Sequence, residues 1–175
     1  MKKEYKLNYA QLAQRAKDFE ENKFVGQLAE RTIVAFLKHR GSKVDWMNED
    51  KENYLDYDII ADDNAYIDVK YCNSMRYGVI RIQILDETHK NPGWALRGGN
   101  CNWFCFTDCG RAVFISKADL IFVYNNMKGF WKSNWEVREN CQICYDIPVK
   151  ALQYYIPKDR LLVENIDRKA LGLEF

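Results

Sequence analysis

Three residues of this 175-residue chain have types and spacing that could do chemistry: Asp58, Asp68 and Lys70. They lie in Tyr54-Leu55-Asp56-Tyr57-Asp58-Ile59-Ile60-Ala61, a turn Asp62-Asp63-Asn64, and Ala65-Tyr66-Ile67-Asp68-Val69-Lys70-Tyr71. Residues two apart in a strand share a face, so Asp68 and Lys70 project together while Ile67, Val69 and Tyr71 project the other way. A three-residue loop at 62–64 pairs 61 with 65, 60 with 66, 59 with 67 and 58 with 68, which sets Asp58 opposite Asp68 on one face. A loop of two or four residues sends the two acids to opposite faces, so their convergence depends on an odd loop or a bulge. Two facing carboxylates repel unless something positive lies between them, and a hard divalent cation with oxygen ligands suits that place. The expected ion is Mg²⁺, with Mn²⁺ able to substitute. Lys70 can then orient or deprotonate a water, or stabilise the charge that builds up on a phosphate under attack. Such a set is equipped for phosphodiester hydrolysis. Its rival is a cross-strand ion cluster on a solvated face, against which Ile60 and Tyr66 on the same face argue for partial burial. Asp56 shares that face, as an outer ligand or as a solvated acid at the strand's end.

The elements that position these residues follow from periodicity. Residues 8–21 read as a modest helix, interrupted at Asn22-Lys23. A stronger one runs over about 24–40 with Val25, Leu28, Ala29, Thr32, Ile33, Phe36 and Leu37 as its apolar stripe and Gly41 as its stop. The period then shortens, and 43–47, 54–61, 65–71 and 79–85 read as four consecutive strands. Residues 86–101, with Asn91-Pro92-Gly93 and Gly98-Gly99, read as a long loop of the kind that carries function. A strand pair follows at 102–107 and 111–115, joined by Asp108-Cys109-Gly110, and Ser116 caps a helical start. Beyond it, 131–144 reads as irregular or extended, and 149–155 and 168–173 as short helices.

A helix carrying Glu30, an acid at the end of one strand and Asp-x-Lys on the next resemble the PD-(D/E)XK nuclease superfamily. Tyr57 stands where that family's name has Pro, a variable position. The segments Tyr77-Gly78-Val79-Ile80-Arg81-Ile82-Gln83-Ile84, Pro92-Gly93-Trp94 and Asn102-Trp103-Phe104 are similar to small phage-type members. The resemblance covers about 24–115 and implies an α/β fold, restriction-endonuclease-like, with a mixed central sheet flanked by helices. It implies Mg²⁺-dependent endonuclease cleavage of DNA leaving a 5′-phosphate. Carried over, Glu30 is the helical acid, Asp58 the first motif acid and Asp68-Val69-Lys70 the second motif. The metal set is then Asp58, Asp68 and the Val69 carbonyl, with Glu30 assisting. The alternative is a catalytically inactive nucleic-acid-binding or interaction protein that keeps the fold.

Further candidates are less specific. Glu30 borders the apolar stripe of its helix, which fits either a site acid or a snorkelling Glu paired with Arg31 or Lys23. Gln83, mid-strand among isoleucines, fits an orienter of the attacking water or a structural amide. Arg76, Arg81, His89, Lys90 and Arg97 follow the hairpin and are candidate phosphate contacts, with Trp94 as a base-stacking residue. Lys128, Trp131 and Lys132 form a second basic aromatic cluster. Cys105, Cys109, Cys141 and Cys144 could hold zinc, but CxxxC is a poor half-site and Cys105 lies in an apolar strand, so reduced thiols are the simpler reading. Neither His39 nor His89 has a context for catalysis with a cysteine.

Composition bounds the rest. With 26 Lys plus Arg, 25 Asp plus Glu and 47% apolar residues, the chain fits one domain over 1–175, its core at about 24–115 and an extension at 116–175. A net charge of +1 excludes a histone-like polycation but not an enzyme with a local basic rim. At 14% aromatic residues the chain is expected to collapse and fold. Gly-Lys-Ser/Thr and G-x-G-x-x-G loops are missing from the sequence, which speaks against a nucleotide motor or dinucleotide enzyme. No signal-like or membrane-spanning stretch is evident, so a cytoplasmic protein with no membrane partner is expected. A homodimer that cuts both strands, or action on branched DNA, fits the small size.

Overall fold

The apolar stripe read from the sequence belongs to a single helix, α1 (Tyr9–His39), in a computed structural model that describes residues 9–47, 57–86, 91–97, 99–134, 136–139 and 142–173. The break expected at Asn22-Lys23 is absent. Neither residue lacks an amide hydrogen or restricts φ, and an interior Asn costs only about 0.7 kcal/mol relative to Ala, so the two expected helices merge. Gly41 does stop the helix, in the left-handed region at φ +89°, with its N–H on the Lys38 carbonyl.

Among the described residues ten strands form two sheets. The central sheet contains β1 (Val44–Trp46), β2 (Ile59–Ala61), β3 (Ala65–Tyr71), β6 (Trp103–Thr107), β7 (Arg111–Ser116) and β10 (Leu161–Asn165), in the order β1-β2-β3-β6-β7-β10. It is mixed: β3 runs parallel to β6 and every other neighbouring pair is antiparallel. The second sheet is antiparallel, in the order β5-β4-β9-β8, with β4 (Val79–Asp86), β5 (Asn91–Pro92), β8 (Glu136–Glu139) and β9 (Gln142–Pro148). Two further α-helices, α2 (Lys117–Asn134) and α3 (Val149–Tyr155), and a 3₁₀ turn at Asn73–Tyr77 complete the described elements, and no described helix is long and apolar enough to cross a membrane.

The central sheet is buried on both sides, which is why β6 and β7 read as unbroken apolar runs. Alternate side chains divide between two cores. Ile59, Ile67, Val69, Cys105 and Phe114 meet Ala29, Ile33 and Phe36 of α1. Phe104, Phe106, Val113 and Ile115 meet Ile80, Ile82 and Ile147 of the second sheet, Leu120 and Val123 of α2, and Leu152 of α3. The broad expectation of a mixed sheet flanked by helices holds, with one correction: β4 does not continue the first three strands but opens the second sheet. Its Ile-x-Ile-x-Ile alternation asks only for one covered face, and stacking on the central sheet supplies it.

The C-terminal third differs from the expectation in detail. Ser116 caps α2 as read, its Oγ accepting the Asp119 N–H at 3.0 Å. The stretch read as irregular or extended at 131–144 is extended where it holds β8 and the start of β9, but α2 runs into it as far as Asn134. The expected helix at 168–173 is a series of hydrogen-bonded turns begun by the Asp167 side chain, which accepts from Lys169 and Ala170. Strand β10, beyond the expected core at 24–115, is an edge strand of the central sheet.

Candidate active site

The hairpin β2–β3 has the three-residue loop that the reading required. Asp62 and Asp63 lie in the left-handed region at φ 52° and 66°, conformations that Asp tolerates better than most residues. The ladder pairs Ile59 with Ile67, Ile60 with Tyr66 and Ala61 with Ala65. Asp58 does not extend it. The chain bends there, and the Asp58 N–H donates to the Ile67 carbonyl at 2.9 Å, so the expected backbone pair with residue 68 does not form. The side chain restores the meeting. Where β2 has ended, the Val69 N–H loses its strand partner and donates instead to Asp58 Oδ2 at 2.7 Å. This bond draws the Asp58 carboxyl alongside β3, near enough to that of Asp68 to help raise it.

Strand alternation turns Ile67 and Val69 into the α1-side core and Asp68 and Lys70 to the other face, toward the second sheet; Tyr71, read as sharing the face of Ile67 and Val69, is exposed at the end of β3 and does not join their core. Asp68 is 9% exposed. Burial raises its carboxyl to about 7; the Lys70 ammonium pulls it down and the facing Asp58 pushes it up. Lys70 Nζ lies 2.7 Å from Asp68 Oδ1 and 5.2 Å from the centre of the Trp94 ring. That ring packs on Phe104 and Phe106, with centroids 5.2 and 5.9 Å away. Lys70 is thus held between an anion and an aromatic face, both fixed to the core.

Gly93 is what brings Trp94 there. A bulge interrupts the β4–β9 register between Gln83 and Leu85, and the Gly93 N–H donates to the Ile84 carbonyl at 2.8 Å. A Cβ at position 93 would sit 2.3 Å from the Gln83 carbonyl oxygen, so only glycine permits this approach. On the other side, Tyr57 and Tyr66 pack ring to ring at 5.0 Å.

The donor set suits a hard divalent cation. Two carboxyls share one small volume with a single ammonium on one of them, and desolvation first, with repulsion from Asp58 adding to it, raises the Asp68 carboxyl. A residue's N–H and C=O point to the same side of a strand, so the Val69 carbonyl faces the gap beyond β2 together with its N–H. Asp58, Asp68 and the Val69 carbonyl could hold Mg²⁺, which keeps several waters and needs only one or two carboxylates. Among the described residues no group of three or more His, Cys, Asp or Glu side chains converges as a fuller cage.

The other candidates separate. Glu30 lies on the α1 side, where its Oε2 accepts the Trp46 indole N–H at 2.9 Å; Trp46 pairs with Ile59 in the sheet. Arg81 forms a two-point bond with Asp146 across the strands, at 2.6 and 2.9 Å. Trp94 is a core anchor with Lys70 on its face, not a free stacking residue. Arg97 is exposed on the turn after Trp94. Asp56, His89, Lys90 and Cys141 lie outside the described residues, as do the side chains of Lys128, Trp131 and Lys132. Cys105 and Cys109 belong to the α1-side core, whereas Cys144 lies on β9 of the second sheet, outside both cores and lining the cleft beside Lys70, so these sulfurs do not meet in one tetrahedral site. Burial, with Cys109 nearby, raises the Cys105 thiol well above its ordinary range.

A cleft of about 680 Å³ opens beside Lys70, between the end of β3 and the second sheet. Gln83, Arg76 and Arg81 line it with Tyr71 and Tyr77, two tyrosines that the sequence reading did not single out. The available signal was Asn73-Ser74 followed by Gly78, a turn signature that lifts Arg76 and Tyr77 off the sheet. No family model, curated protein or solved structure matches the chain.

Proposed function

We propose that the chain is a Mg²⁺-dependent endonuclease that hydrolyses DNA phosphodiester bonds at the Asp58, Asp68 and Lys70 cluster. The observation that carries this reading is the meeting of two carboxyls in a desolvated place with one lysine that also reaches an open cleft. A structural ion pair needs one acid per base; a second acid forced against the first costs stability unless it has a further use. The resemblance to the PD-(D/E)XK nucleases, in the order helix, strand acid, Asp-x-Lys, supports the same reading.

Asp58 and Asp68, with the Val69 carbonyl, are the residues that hold the cation. When bound, the cation supplies a Lewis acid that draws charge from the phosphate and makes a coordinated water more acidic. Lys70 stands on the cleft side of Asp68. Its ammonium donates to the non-bridging phosphate oxygen, where charge accumulates as water adds to phosphorus and the bond to the 3′ oxygen breaks. Asp68 and the Trp94 ring fix the lysine side chain before substrate arrives, so little ordering remains to be done during the reaction. Gln83 lines the cleft wall, and in this reading its amide orients the attacking water. Glu30 acts at one remove, holding Trp46 and with it the end of β1 beside Asp58, whose carbonyl accepts the Met47 N–H at 2.9 Å.

The test is incubation with supercoiled, linear, single-stranded and four-way-junction DNA in Mg²⁺, Mn²⁺ or chelator, beside Lys70→Ala. The expected result is metal-dependent cutting of at least one substrate, lost in the variant. Cutting that survives in chelator, or in Lys70→Ala at the wild-type rate, removes the proposal.

A further inference from the structure

The cleft beside Lys70 is built unlike a groove for duplex DNA. Its floor is the strand pair β4–β9 and its rim is the 3₁₀ turn Asn73–Tyr77, with about 680 Å³ between them. That volume suits a ligand of a few hundred daltons, on the scale of about one or two nucleotides, and cannot enclose a double helix.

The rim is a rigid platform. Met75 is fully buried beneath it, and Ser74 Oγ donates to the Val79 carbonyl at 3.0 Å. Gly78, at φ +71°, closes the turn with its N–H on the Met75 carbonyl at 2.8 Å. This anchoring leaves Arg76 and Tyr77 outside. Tyr77 is 72% exposed and Tyr71, at the end of β3, is 42% exposed. Both line the cleft. The Arg76 guanidinium lies 4.7 Å from the Tyr77 ring centre, and among the described residues no carboxylate pairs with it. An exposed aromatic ring beside a cation without an acid partner is what an unpaired base and its phosphate require: the ring offers a stacking face and the guanidinium a fork for phosphate oxygens. A base inside a duplex already stacks on its neighbours and cannot use that ring unless it is first flipped out. Lys70 lies in both this cleft and the acid cluster, so a strand seated in the cleft would bring its backbone to the acids.

We propose that the cleft takes an unpaired segment of the DNA, stacked on Tyr77 and Tyr71 with its phosphate on Arg76, so that the substrate class is DNA with a single-stranded stretch. This rests on the nuclease reading for its chemistry, but its test does not.

Binding is measured by fluorescence anisotropy in chelator, with a labelled single-stranded 12-mer and the same sequence as a blunt duplex. The wild type is expected to bind the single strand at least tenfold tighter than the duplex. Tyr77→Ala and Arg76→Ala should each weaken single-strand binding five- to fiftyfold, and Tyr77→Phe should restore it, because stacking needs the ring and not the hydroxyl. Both positions are exposed, and circular dichroism of each variant verifies the fold. Duplex binding equal to or tighter than single-strand binding, or unchanged affinity in both Tyr77→Ala and Arg76→Ala, overturns the proposal. Single-strand preference without metal-dependent cleavage keeps the cleft and removes the nuclease reading. Metal-dependent cleavage without that preference does the reverse.

Discussion

Asp68 is held between burial, which favours its neutral form, and Lys70, which favours its charged form. Burial and the nearby Asp58 win, and the carboxyl titrates at about 7 in the folded chain against about 3.9 in the unfolded one. The folded state therefore binds the proton more tightly, so unfolding releases it throughout the interval between these values. This group's contribution to stability is full below about pH 4, declines as the pH rises and is lost above about pH 7. Urea unfolding in chelator, from pH 4.5 to 8, should show that decline in the wild type relative to Asp68→Asn, which lacks the titrating group. A constant difference between the two across that range would mean that Asp68 titrates normally. Asp68 itself was legible because Asp-x-Lys on a strand shares a face by alternation alone. Asp58 was legible only in part. The odd loop was read from Asp62-Asp63-Asn64, but the bend that frees Asp58 to reach the Val69 N–H is a tertiary event with no local signal.

The turn after β5 decides where Trp94 and Lys70 meet, and it depends on one missing Cβ. Because Ala at position 93 would place a methyl group 2.3 Å from the Gln83 carbonyl oxygen, either β4 or the turn must move. Gly93→Ala should cost about 1–3 kcal/mol of stability, as overpacking generally does. It should also shift Trp94 away from Lys70. Urea unfolding gives the first effect and the single-turnover cleavage rate the second, which should fall while the secondary structure by circular dichroism stays unchanged. A variant as stable as wild type would show that the close approach is relaxed in solution. At this scale the sequence was a good guide to hairpins, whose partners are near in the chain and whose turns announce themselves. Both Asp62-Asp63-Asn64 and Asp108-Cys109-Gly110 were legible for that reason, the latter tied by Asp108 Oδ1 accepting from Gly110 and Arg111 at 2.9 and 2.7 Å. The merger of two expected helices into α1 was not legible, because Asn22-Lys23 lowers propensity without forbidding the helix.

Two stacked sheets make the site possible. The central sheet supplies the acids and the lysine on one face, and the second sheet, laid against that face, supplies Trp94 through its bulge and the floor of the cleft. Strand β4 could not be assigned to its sheet from sequence. Its alternation fits any half-buried surface, and its partner β9 lies some 60 residues away, where Asp146 waits for Arg81. The aromatic platform escaped notice for a related reason. Tyr71 and Tyr77 are unremarkable in a chain with 11 tyrosines until folding leaves both exposed and lining one cleft. The central claim is that Asp58, Asp68 and Lys70 form one metal-dependent hydrolytic centre. Its most direct test is the single-turnover rate of DNA cleavage in Mg²⁺ by wild type, Asp58→Asn, Asp68→Asn and Lys70→Met, each first shown to be folded. The account predicts a rate that vanishes in chelator and falls by about 100-fold or more in each variant, as loss of a group acting on the transition state does. Cleavage by all three variants within a fewfold of wild type, or no cleavage by the wild type with any divalent metal, would contradict it.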